Sequence, residues 1–320
     1  MSNVSVIRPL RATPPPVALA RNSAPPLALA PTSGQAAESA PASEPVNSHV
    51  KVWTVNKRNR TVPVDLKTIN EGGDLIAQTA YKNAGKVDDF LRTRFGRNGW
   101  DNKGAPLEVV VHAPAEDGQP MNNAFWDLKK HKIILGDGDG RIFAPLGGAL
   151  DVLTHETVHA VVDSEVNLPY KGQQGGINES WADVIGSLAD PDHDWLVGED
   201  VFTPATQGDA IRDLASPRYS NLKQITPGTD VEMHDLSGIP SLAAVRVADK
   251  IGRDQMGEIW YRALCEHLDS RAGFSGAARA TLQSAIDLFG VTSPQYTAVT
   301  DAWKSVGVNA RFAPGQRARK

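Results

Sequence analysis

The stretch DVLTHETVHAVVD, Asp151 to Asp163, places His155 and His159 four residues apart with Glu156 directly after the first histidine. Residues four apart share one face of a helix. The two imidazoles can therefore hold one metal ion while Glu156 projects beside it. That is the H-E-x-x-H arrangement, in which two histidines bind zinc and the carboxylate acts as general base on a metal-activated water. The competing reading is an amphipathic helix that happens to carry two histidines.

A catalytic zinc needs a third protein ligand and an open fourth position. The stretch GGINESWADVIGSLAD reads as a second amphipathic helix, with Ile177, Trp181, Val184, Ile185 and Leu188 on its apolar face. Glu179, expected in the first turn, is the candidate third ligand. Asp183, one turn on, is placed to accept the second ring N–H of a ligating histidine and so fix its tautomer. Read plainly, Glu179 is a helix N-terminal acid favoured by the macrodipole, and Asp183 a solvated charge. Neither plain reading explains why both fall just after the two-histidine helix.

These segments need a scaffold. With 320 residues, 41% apolar and 22% charged, the chain can bury a sizeable core, as an ordinary globular protein does. A net charge of -4 gives no reason to expect nucleic acid as a partner. The basic tail RFAPGQRARK is too short to change that. The single cysteine, Cys265, excludes an internal disulfide framework and sits in a helical pattern as a small buried thiol. No apolar run approaches a membrane span, and the proline-broken amino terminus carries no continuous apolar segment of signal-peptide length. The expectation is cytoplasmic residence or export by a non-classical route.

Residues 1–49 are rich in Pro, Ala and Ser and read as extended, except for the apolar SAPPLALA, Ser23 to Ala30, which is suited to docking. From Val50, KVWTVNKRNRTVPVDL reads as strand, turn and strand. GDLIAQTAYKNAGKVDDFLRTRFG reads as a helix stopped by glycine, and LEVVVHA and HKIILGDGDG as strands. GDGDG lacks the remaining residues of a calcium loop or a phosphate loop and reads as a tight turn. After Asp151 only helical periodicity is legible, and no internal repeat is present. The fold class is α+β, a strand-rich amino-terminal lobe followed by a helical carboxyl-terminal lobe.

The blocks NNAFWD, GDGDG, HETVHAVVD, GGINESWADVIGSL, WLVGED and IGRDQMGEIWYRAL, in this order from about Val50 to about Val308, resemble the thermolysin family of zinc endopeptidases. The PPL of the amino-terminal segment and SGIP after His234 are similar to its protealysin-like branch, which carries a short propeptide. The resemblance implies two lobes, 50–150 and 165–320, bridged by an active-site helix at 151–164, with 1–49 as a self-removed propeptide. It implies a set of roles: His155, His159 and Glu179 on zinc, Glu156 as base, and Tyr170 and His234 as oxyanion donors. Asn123, the Ala124 backbone and Arg212 would grip the substrate main chain. Phe143, Leu146, Val152 and Ile211 would line the pocket for a bulky apolar residue after the scissile bond.

Two departures stand out. The family places an aspartate five residues before the catalytic histidine. Here that position is Thr229, so Asp230 becomes the candidate to orient His234 through a shifted turn. Asp151, Asp190, Asp194 and Glu199 fall near a family calcium cluster, but Leu196 replaces one expected acid. That leaves room for one calcium ion, not two. The implied partners are peptide substrates and the chain's own propeptide, on a monomer. Two alternatives stay open: a narrow-specificity peptidase on the same fold, and a zinc-containing binding protein without catalysis.

Overall fold

The computed structural model describes residues 49–56, 59–65 and 73–310. The propeptide expected at 1–49, its Ser23–Ala30 docking element included, lies outside the described residues but for His49. The basic tail from Arg311 to Lys320 lies outside them as well.

Five strands form one mixed sheet in the order β2-β1-β3-β5-β4. They are β1 (Val50–Val55), β2 (Thr61–Pro63), β3 (Leu107–Val111), β4 (Ala124–Asp127) and β5 (Lys132–Leu135). β1 runs parallel to β3 and β3 to β5, while β2 and β4 close the edges antiparallel, with Phe125 opposite Ile134. Period-two alternation puts Val50, Val52, Leu107, Val109, Val111, Ile133 and Leu135 into the main core. Trp53, Val110, Phe125 and Ile134 form a smaller cluster on the other face.

Helix α1 (Leu75–Phe95) covers the core face through Ala77, Ala80, Ala84, Val87 and Leu91, spaced three and four apart. The Asp74 side chain accepts the Ala77 N–H at 3.0 Å to start it, and Gly96, at φ 67°, ends it as the glycine pattern predicts. β4 was not legible as a strand, because four residues alternating beside a polar NN pair give too short a period-two signal.

Helix α2 (Leu150–Glu165) is buried on every side from Asp151 to Val162. It packs on α1 and β4 in one direction and on α3 (Gly172–Ala189) in the other. Gly186 permits that second contact, since a Cβ there would lie 2.9 Å from the Asp151 carbonyl oxygen. α4 (Met233–Ile251), α5 (Arg253–Arg262), a π turn (Ala263–His267), α6 (Phe274–Phe289) and α7 (Pro294–Ser305) complete the helical half. Its centre is a row of indoles, Trp181 on Trp260 on Trp303, with centroids 6.0 and 6.3 Å apart.

Three boundaries differ from the sequence reading. α4 begins at Met233, eight residues before its periodic stretch, because Pro240 inside it interrupts the pattern. α3 begins at Gly172, so Glu179 lies in its third turn and not its first, beyond the reach of a macrodipole explanation. Two short strands, β6 (Leu196–Val197) and β7 (Arg212–Asp213), pair within the half expected to be purely helical. No helix among the described residues is long and apolar enough to cross a membrane.

Candidate metal centre and active site

On α2, His155 and His159 point the same way, and their Nε2 atoms lie 2.9 Å apart. Glu179 reaches them from the third turn of α3, with Oε2 3.4 Å from His155 Nε2 and Oε1 3.6 Å from His159 Nε2. The three side chains are 1%, 5% and 0% exposed. Zinc bonds of about 2.0–2.1 Å at tetrahedral angles would set ligand atoms roughly 3.3 Å apart. The three separations bracket that figure, so this donor set fits zinc.

The outer ring nitrogens are held as a metal site requires. His155 Nδ1 is 2.8 Å from Asp183 Oδ1, and His159 Nδ1 is 2.8 Å from Asn178 Oδ1. Asn178 Oδ1 accepts the His159 Nδ1–H, and the Asp183 carboxylate draws the His155 proton to Nδ1 by its charge, which leaves the Nε2 lone pairs aimed inward. Asp183 thus sits where the spacing on its helix places it. Asn178 was missed, because an asparagine beside the glutamate in GGINES reads as polar helix-end chemistry.

Glu156 is fully buried. Its Oε2 accepts the Trp126 N–H of β4 at 3.0 Å, and its Oε1 has no hydrogen-bond partner. Burial pushes its carboxyl up to about 7, against the opposing charge of His155. Burial also disfavours ionisation of Glu179, but the charges of His234 and His159 outweigh it and hold that carboxylate well below its usual range.

The Tyr170 hydroxyl donates to Glu179 Oε1, and His234 Nε2 lies 3.0 Å from Glu179 Oε2. Both candidate oxyanion donors therefore flank the ligand triad. The orienting residue is a correction. Asp230 is exposed, and Glu232 makes the contact, with Oε1 2.8 Å from His234 Nδ1. Glu232 also caps α4, accepting the His234 N–H at 2.9 Å. The turn is shifted further than Asp230 could follow, and the longer glutamate spans the gap from the cap position.

Arg212, on β7, is 5% exposed and grips Asp183 with two bonds, Nε to Oδ2 at 2.8 Å and Nη2 to Oδ1 at 2.6 Å. Its Nη1 is buried without a partner. Ala124 lies on β4, and the Asn123 carbonyl accepts the Gly136 N–H at 3.0 Å. Phe143, Leu146, Val152 and Ile211 are all within the main core, with Val152 and Ile211 meeting over Gly198. On the other flank of His159, Trp126, Leu128, Leu168 and Tyr170 line a small cleft. Trp126, Leu128 and Leu168 were not singled out from sequence.

Asp151, Asp190 and Glu199 bring carboxylate oxygens within 4.8 Å of one another. Burial lifts the Asp151 carboxyl to about 6 and the Glu199 carboxyl to about 8, and neighbouring acids add to both. One oxygen each of Asp190 and Glu199 is buried without a partner. Asp194 does not join this trio; its Oδ1 accepts the Leu196 N–H at 2.8 Å, while Asp200 adds charge beside Asp151 instead.

Comparison with known proteins matches the chain to thermolysin metallopeptidase, catalytic domain, over residues 36–163, and to thermolysin metallopeptidase, alpha-helical domain, over 166–308. It is 37% identical over 279 residues to bacillolysin of Brevibacillus brevis, covering 81% of this chain and 51% of that protein. Neutral protease NprE of Bacillus pumilus is 36% identical over 281 residues, 83% of this chain and 90% of that one. The solved precursor of protealysin, a metalloproteinase from Serratia proteamaculans, superposes with a TM-score of 0.70 at 30% identity, over 81% of this chain and 87% of that one. The chain spans about half the length of several curated relatives it matches.

Proposed function

The chain belongs to the thermolysin family of metallopeptidases, and from that premise we propose that it is a zinc endopeptidase made with a self-removed propeptide. The observation that carries this reading is the convergence of His155 Nε2, His159 Nε2 and Glu179 beside a buried Glu156 oxygen with no partner. When bound, zinc supplies Lewis acidity to the scissile carbonyl and to the attacking water. Glu156 takes the proton of that water at Oε1 and passes it to the leaving amine. The Tyr170 hydroxyl and His234 Nε2–H donate to the oxyanion. Arg212 Nη1 donates to a substrate carbonyl, and Asn123 with the Ala124 backbone holds the peptide along β4.

In this reading 1–49 is the propeptide, and the bridging segment 151–164, which lies within α2, forms the cleft floor between lobes 50–150 and 165–320 of a monomer. Phe143, Leu146, Val152 and Ile211 favour a bulky apolar residue after the cut. Asp151, Asp190 and Glu199 form a site for one calcium ion, a hard cation that matches clustered carboxylates.

The test is intact mass of the purified full-length chain over time, with and without a zinc chelator. Loss of an amino-terminal piece ending near Val50, blocked by the chelator, is the expected result. A chain that keeps its zinc, stays full length and cuts no added peptide would move a non-catalytic zinc protein to the front. Within the site, Glu232→Ala is expected to lower kcat roughly 10-fold by releasing the His234 ring. Asp230→Ala should leave kcat unchanged, and steady-state kinetics on one peptide substrate separates the two.

A further inference from the structure

We propose that His112, clamped as an imidazolium between Asp74 and Asp137, is a positioning residue for the strand that holds substrate. The inference rests on the peptidase reading above and concerns side chains remote from the zinc ligands. His112 follows β3 with φ at 57°, a left-handed backbone that is costly for a residue with a Cβ. Its Nδ1 lies 2.7 Å from Asp137 Oδ2 and its Nε2 3.0 Å from Asp74 Oδ2. An ionised carboxylate only accepts, so both ring nitrogens must donate, and an imidazole carries both hydrogens only when charged. These two carboxylates, one capping α1 and one in the turn after β5, are the charged groups that face the ring.

The Asp137 turn is stitched to the residues that enter β4. Gly136 N–H donates to the Asn123 carbonyl at 3.0 Å, and Gly138 N–H to the Met121 carbonyl at 3.2 Å. Asp139 N–H donates to Asn122 Oδ1 at 2.8 Å, and Asn122 Nδ2 returns a bond to Asp139 Oδ2 at 2.9 Å. Glycine is required twice for this approach. A Cβ on Gly136 would sit 1.9 Å from the Met121 carbonyl oxygen, and one on Gly138, at φ +68°, 2.1 Å from that of Phe143. The turn therefore moves as one piece with residues 121–123. His112 pins that piece to the start of α1, and Asn123 and Ala124 inherit its position.

Burial opposes charging of His112, but Asp137 and Asp74 outweigh it and raise the ring above its ordinary 6.5. A raised histidine contributes fully below its unfolded value and loses its contribution as pH climbs through the folded one. The clamp is thus closed from 6.5 down to the acid range in which the two carboxylates take up protons, and it opens toward alkaline pH. KM for an extended peptide should rise over that interval, while kcat follows the ionisation of Glu156, whose carboxyl lies at about 7, and not that of His112.

The experiment has two arms. In the zinc-loaded full-length Glu156→Gln chain, which does not digest itself, nitrogen-15 NMR of the histidine side chains reads the His112 ring, assigned by loss of its signals in His112→Gln. Both ring nitrogens should be protonated at pH 7. In the active enzyme, Asp137→Asn and Asp74→Asn should each raise KM, the former roughly 10-fold, with kcat within about twofold. Asparagine still caps α1, so Asp74→Asn removes the charge without the helix start. A neutral ring at pH 7, or an unchanged KM in folded Asp137→Asn, overturns the proposal. A wild-type chain that cuts no peptide overturns the peptidase reading, an outcome the ring titration tells apart because it needs no turnover.

Discussion

Replacing Glu156 with glutamine is expected to lower peptide hydrolysis by roughly 100- to 10,000-fold, the range for loss of a positioned general base, while zinc content stays unchanged. Glutamine keeps the shape of the side chain and an oxygen able to accept the Trp126 N–H. It cannot take a proton from water at the oxygen that here has no partner. His155, His159 and Glu179 are untouched, and their outer nitrogens remain fixed by Asp183 and Asn178. Stability should not fall either. Burial penalises the Glu156 charge enough to lift its carboxyl to about 7, and a neutral isostere removes that penalty. Zinc analysis beside peptide turnover decides the matter. Full turnover in the variant would remove Glu156 from the chemistry. Lost zinc would place it in the metal's support.

The parts of this site that were legible in sequence are those carried by one helix face. His155, Glu156 and His159 repeat at helical spacing, and Asp183 follows Glu179 by one turn, so local geometry alone brings each pair together. The parts that were not legible depend on where one element meets another. Glu232 reaches His234 only because α4 starts at Met233, and Pro240 hides that start from a periodicity argument. Asp194 looked equivalent to Asp190, yet its carboxylate turns back on the Leu196 N–H while Asp190 joins acids from two other segments. His112 gave no signal at all. Its partners lie 25 and 38 residues away, on a turn and a helix cap that no local pattern links to the end of β3. The strand Ala124–Asp127 was likewise too short for its alternation to register, although it carries the backbone N–H that fixes Glu156.

Two aspartates on the same helix pair should respond to neutralisation with opposite signs, and Asp183 should give the larger effect. Its carboxylate is fully buried and serves both His155 Nδ1 and two nitrogens of Arg212. Asp183→Ala leaves a buried guanidinium without its counter-charge, a change that costs about 3–5 kcal/mol. It also frees the His155 tautomer, which lowers zinc affinity by roughly 10- to 100-fold. Asp183→Asn separates the two effects. The amide oxygen can still accept the Nδ1–H, so zinc affinity should fall less than in alanine, whereas the Arg212 charge is left equally uncompensated.

Asp190 is the converse. It shares its corner with Asp151 and Glu199, whose carboxyls burial and mutual repulsion lift to about 6 and about 8. Asp190→Asn relieves that repulsion, so in zinc-replete, calcium-depleted buffer the variant should melt at or above the wild-type temperature. If the corner holds calcium, adding the ion should raise the wild-type melting temperature and leave the variant nearly unmoved, because affinity follows the number of ligand charges. Thermal unfolding of both variants across a calcium series reads the two signs together. A destabilised Asp190→Asn without calcium would mean the acids are held by contacts other than a cation. A stable Asp183→Ala would mean Arg212 finds another partner and is not the fixed substrate-facing donor the site requires.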